Sequence, residues 1–175
     1  MSILKVARMG HPVLRNKARP LDRSTLRSAP IQKLIDDMID TMNEYHGVGL
    51  AAPQVHEELR IFVALLGTDE EEEADTEAMV IVNPEIAPAG PELADGWEGC
   101  LSIPDIRGRV PRARAITLRG LDRKGERLDL KLHDFPARVA QHETDHLDGI
   151  LFFDRMRSLD TLTYLDEYSR YWAKD

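Results

Sequence analysis

Cysteine is almost absent from this chain: Cys100 stands alone among 175 residues. A lone cysteine cannot close an internal disulfide, which suits a reducing cytoplasm. Long apolar runs are missing too. No uninterrupted stretch approaches the roughly 20 residues that a membrane-crossing helix needs. Met1-Ser2-Ile3-Leu4-Lys5 also lacks the pattern of a secretory signal. The expectation is a cytoplasmic protein with no membrane partner. Positive charge is in deficit, with 23 Lys and Arg against 31 Asp and Glu and a net charge of −8. That balance argues against a dedicated nucleic-acid surface, which needs cations to meet phosphates. Arg107, Arg109, Arg112, Arg114 and Arg119 make one locally basic segment, read here as a solvated strand face. Internal repeats and a second-domain linker are lacking, so 1–175 is expected to be one domain with an ordinary core.

The richest stretch is His142-Glu143-Thr144-Asp145-His146. On a helix, residues four apart share a face about 6 Å apart. Two imidazoles so placed can grip one metal ion, and the glutamate beside the first can reach a water on that ion. Pro136 suits a helix start, with Asp134 or Phe135 as cap, and Gly149 is placed to end the helix in a left-handed conformation. Without a metal, the same stretch would be a buried helix carrying two hydrogen-bonded histidines. A third ligand must come from elsewhere. The extended pattern H-E-x-x-H-x-x-G-x-x-H fails at Phe152, which cannot bind metal. Asp166 or Glu167 could serve as a downstream carboxylate, as in thermolysin-like peptidases. Cys100, within Glu98-Gly99-Cys100-Leu101-Ser102, is the third candidate.

Three motifs in order carry a family resemblance. Gly47-Val48-Gly49-Leu50-Ala51-Ala52-Pro53-Gln54, Glu98-Gly99-Cys100-Leu101-Ser102 and Gln141-His142-Glu143-Thr144-Asp145-His146 resemble the three signatures of the peptide deformylases. Gly10-His11-Pro12-Val13-Leu14-Arg15 and Val110-Pro111-Arg112 fit as well, so the likeness runs from about Ile3 to Met156. The resemblance implies Cys100, His142 and His146 as metal ligands, with one position open for water. It implies Fe2+ as the cellular metal, although Zn2+, Ni2+ or Co2+ would suit the same donors. Glu143 is then the general acid/base for water attack on a formyl carbonyl. The Gln54 side-chain amide and the Leu101 backbone N–H stabilise the oxyanion. The implied substrates are N-formylmethionyl peptides and nascent chains, met during transient contact with the ribosome by a monomer. Gly47, Val48, Gly49 and Gly99 would bind the peptide, with Val48, Phe135 and Val139 as walls for methionine. Arg107 would orient the peptide backbone; a plain surface arginine is the competing reading.

Gly47-Val48-Gly49-Leu50-Ala51-Ala52 also satisfies a dinucleotide fingerprint, but that motif needs a strand before it and a helix after it. Ile31, Leu34, Ile35, Met38, Ile39 and Met42 instead predict a preceding helix, ended at Gly47. Strands are predicted over Leu59–Leu66, Met79–Val82, Ala115–Leu121 and Leu128–Leu132. The acidic run Asp69–Glu77 reads as a solvated loop, and Leu159–Ala173 as a helical tail. The expected fold is α+β: a single domain with antiparallel or mixed sheets around a central helix bearing the two histidines, plus a C-terminal helix.

Overall fold

The structure is a computed structural model that describes residues 2–67 and 77–173. The acidic run therefore lies outside the described residues, except for Glu77. Eight strands are present among the described residues: β1 (Gly49–Ala51), β2 (Ile61–Leu65), β3 (Ala78–Pro88), β4 (Leu93–Cys100), β5 (Ile103–Ala113), β6 (Ala115–Leu121), β7 (Arg127–His133) and β8 (Thr163–Tyr164). They pair antiparallel in two sheets, one in the order β1-β2-β3-β6-β7 and one in the order β4-β5-β8. Four α-helices accompany them among the described residues: α1 (Arg23–Leu26), α2 (Ala29–Glu44), α3 (Asp134–Leu147) and α4 (Leu165–Tyr171).

The larger sheet is buried on both faces at β2. Successive side chains of a strand point to opposite faces. Phe62 and Ala64 enter a core with Ala137, Ala140 and Leu147 of α3. Ile61 and Val63 enter a second core with Ile35, Met38 and Met42 of α2. A strand covered on both sides reads as a continuous apolar run, which is how Ile61–Leu65 reads. A third core joins Ile103 and Val110 of β5 to Leu14, Leu151 and Phe152. The histidine-bearing α3 is thus held between the sheets, as the fold class requires.

Three local expectations need correction. The α2 helix ends at Glu44, and the left-handed residue is His46, with φ of 52°, rather than Gly47. Histidine tolerates that conformation better than most side chains. Glycine at 47 serves space instead, since an added Cβ would sit 3.1 Å from Leu101 Cδ1. The helix of the tail begins only at Leu165, because Thr163 and Tyr164 are spent pairing with Arg107 and Ile106 of β5. The cap of α3 is His133, one residue before Asp134 and two before Phe135, the expected caps. Gly149 does take the left-handed form, with φ of +73°, and a Cβ there would strike Arg15 O at 2.5 Å.

Candidate metal centre and active-site cleft

Cys100 closes β4, and His142 and His146 lie one turn apart on α3. All three are buried, and their ligand atoms lie within 4.8 Å of one another. Among the described residues no other His, Cys, Asp or Glu cluster has this form. The separation of Cys100 Sγ and His146 Nε2 is 3.3 Å. Tetrahedral Zn–S and Zn–N bonds imply about 3.5 Å, so this donor set fits a metal. Asp166 and Glu167 stand apart on α4, where Glu167 pairs with Arg170. Phe152, excluded as a ligand, is buried and stacks on the His142 ring.

What orients the donors was not legible as a site in the sequence. Glu98 sits two residues before Cys100 on β4, almost wholly buried. Its carboxylate accepts from His142 Nδ1 at 2.9 Å, from Arg112 Nε and Nη2 at 2.9 and 3.0 Å, and from Arg138 Nη1 at 2.8 Å. A carboxylate on Nδ1 turns Nε2 of the same ring toward the cluster, which is how metal-binding histidines are commonly fixed. Arg112 continues the network to Asp145, which also takes Arg155. Arg112 is therefore not part of a solvated strand face: it is only 5% exposed and bridges two buried carboxylates, Glu98 and Asp145. Glu98 shares a motif with Cys100, so a charged residue two positions away on a strand was the one available signal.

The electrostatics follow from this layout. Burial pushes the Glu98 carboxyl up, but the hydrogen bonds from His142 and Arg112 outweigh it and hold the group well below the usual carboxylate range. Burial opposes a charged His142, yet its contacts with Cys100 and Glu98 hold the ring well above its ordinary value, so the cluster attracts positive charge. Burial, with the charges of His142 and Arg112, keeps His146 neutral, the form that binds metal. Desolvation pushes Glu143 up to about 7, and its Oε2 has no hydrogen-bond partner. The backbone of Gly49 lies against this carboxylate; a Cβ there would be 2.4 Å from Oε1.

Gln54 is also buried and its amide is locked. Oε1 accepts from Ala51 N–H at 2.8 Å, which turns Nε2 toward Cys100 Sγ at 3.5 Å and Ser102 Oγ at 3.2 Å. Gln54, Glu143, Cys100, His142 and Leu101 line one cleft of about 800 Å³. Gly47, Val48, Gly49, Gly99, Arg107, Phe135 and Val139 line it too, so every expected peptide-contact residue faces the same space. Val139 is buried at its side, while Val48 and Phe135 are exposed at 42% and 54%, which makes them rim rather than floor.

Comparison with known proteins agrees. A family model described as Polypeptide deformylase matches residues 3–162. Peptide deformylase 2 of Nostoc sp. is 42% identical over 176 residues, covering 99% of this chain and 97% of its own. A class I type b peptide deformylase from Acinetobacter baumannii, solved with Met-Ala-Ser bound, matches with a TM-score of 0.80 at 40% identity, over 89% of this chain and 99% of that one. The Thermotoga maritima peptide deformylase matches with a TM-score of 0.81 at 37% identity, over 90% and 100% of the two chains. No helix among the described residues is long and apolar enough to cross a membrane. Residues, fold and relatives lead to one conclusion: the chain belongs to the polypeptide deformylase family and is a deformylase metallohydrolase.

Proposed function

We propose that this enzyme removes the formyl group from the N-terminal methionine of newly made peptides, releasing formate and a free α-amine. The observation that carries the reading is the convergence of the Glu143 carboxylate, the Gln54 amide and the Cys100 and His142 donors on one cleft, with the buried His146 donor within 4.8 Å of the other two ligand atoms. When bound there, a divalent cation supplies a Lewis acid and makes water nucleophilic near neutral pH. Fe2+ is the expected cation, with Zn2+, Ni2+ and Co2+ able to replace it. Glu143, unpaired and desolvated, takes the proton of the attacking water and returns it to the leaving amine. Gln54 Nε2 donates to the developing oxyanion, and the backbone N–H of Leu101 is the second donor.

The peptide lies as an added strand along Gly47-Val48-Gly49, since β1 is an edge of its sheet and these residues line the cleft. Methionine meets Val48, Phe135 and Val139. Arg107 and Gly99 lie beyond the ligand Cys100 and hold the peptide backbone. With this activity go a cytoplasmic location, a monomeric enzyme and passing contact with ribosomes that carry nascent chains. The test is formate release from formyl-Met-Ala-Ser by anaerobically purified, metal-loaded protein. Formate from wild type and almost none from Glu143→Ala supports the reading. No formate from a protein with metal at Cys100 refutes it.

A further inference from the structure

A second pair of histidines reproduces the mutual geometry of the metal-binding pair. The rings of His142 and His146 lie 5.0 Å apart between centroids, at an angle of 77°. Those of His11 and His56 lie 4.7 Å apart at 81°. Both residues of the second pair are exposed, and neither lines the catalytic cleft. Neither ring has a carboxylate within ion-pair reach among the described residues. The one side-chain bond of His11 is at Nδ1, which accepts from Val13 N–H at 3.2 Å, the long end of the normal range. His56 ends the turn Ala52–Val55 in the left-handed conformation, with φ of 68°. An imidazole stands there where glycine would suit the backbone better.

Two imidazoles at this separation and angle can chelate one ion, and imidazole suits Zn2+, Cu2+ and Ni2+. We infer that His11 and His56 form a second site for a divalent transition-metal ion, with water in the remaining positions. Only two protein donors meet here, so the ion is held more weakly than at the buried three-donor centre. Whichever nitrogen of His11 takes the ion, Nδ1 stops being an acceptor. It either coordinates directly or carries the ring proton displaced from Nε2. Binding therefore releases the Val13 N–H. The site also joins segments that are far apart in sequence. Ala7 N–H donates to Gln54 O at 2.7 Å and Met9 N–H to Ser102 O at 2.8 Å, so the arm before His11 already runs along this region. His56 follows Gln54 by two residues. A bridging ion clips the arm to the turn that carries Gln54, and a ligand bound only by the folded chain stabilises it. The site stands on its own geometry and does not rest on the deformylase reading.

The experiment is equilibrium dialysis of the zinc-loaded enzyme against free Zn2+, with metal analysis, thermal melts and amide hydrogen exchange on the same samples. Wild type is expected to take up a second zinc per chain, and its melting midpoint to rise as that zinc binds. His11→Gln and His56→Gln should each lose the second zinc and the rise in midpoint. Each should keep the first zinc, which also shows that the variant folds. In wild type alone, the Val13 amide should exchange faster once the second zinc is bound. Saturation of wild type at one zinc per chain overturns the site. A second zinc that survives in either variant does so too, because the ion then sits elsewhere. Full protection of the Val13 amide with the second zinc bound likewise overturns coordination by His11. Formate release plays no part in the readout, so failure here leaves deformylation untouched.

Discussion

Replacing Glu98 by glutamine tests whether the buried charge network supports the metal centre. The wild-type carboxylate accepts four hydrogen bonds, from His142, Arg138 and, twice, Arg112. A glutamine keeps one acceptor but turns an NH2 group toward these donors and leaves positive charge unbalanced. The Glu98 side chain is 4% exposed, so water does not screen the loss. Breaking a buried ion pair by removing one partner costs about 3–5 kcal/mol. Because Arg112 keeps Asp145, the lower end, about 3 kcal/mol, is expected. In a chain of this size that lowers the melting midpoint by roughly 6–12 °C. The freed His142 ring should also weaken metal binding roughly 10–100-fold. Thermal melts and a metal titration on the same Glu98→Gln preparation measure both effects. A variant with wild-type melting and wild-type metal affinity would refute the argument.

The remaining outcomes concern the reacting groups. Gly49→Ala should reduce kcat strongly while metal content stays near wild type, since the new methyl overlaps the Glu143 carboxylate; unchanged kcat would show that the approach is not tight. Gln54→Ala should lower kcat by about 100- to 1000-fold with little change in KM, the usual cost of one oxyanion donor. Cys100→Ala should lose metal in elemental analysis, whereas retained metal with peptidase activity would revive a site built on Asp166 or Glu167. The base form of Glu143 disappears as pH falls, so kcat/KM should drop tenfold per unit below its acid limb. That limb is expected at or below about 7, because burial raises this carboxyl while a nearby cation favours its ionised form. Stability has its own acid dependence through Glu98. Its native value lies below the ordinary 4.5, so its contribution is full above that pH and is lost as pH falls through the native value.

The helix-borne part of the metal-binding pattern was legible from the sequence alone. A histidine pair four residues apart with an adjoining glutamate depends only on helix geometry, and so did the left-handed stop at Gly149. The periodicity over Ile31–Met42 and the apolar run of β2 were equally plain, since one-dimensional patterns report which faces are buried. Cys100 as the third donor was different: only resemblance singled it out from Asp166 and Glu167, because spacing along a chain does not measure distance across a fold. Tertiary structure alone decided the fate of Arg112, which its arginine-rich neighbourhood made look solvated. It also decided the role of Glu98 and the path of the tail, where pairing to β5 overrode a helical pattern. Buried ion pairs and short edge strands depend on which partners long-range packing brings within reach. A sequence records the charges and propensities of such residues, and only the folded chain supplies the counter-charge or neighbouring strand that fixes them.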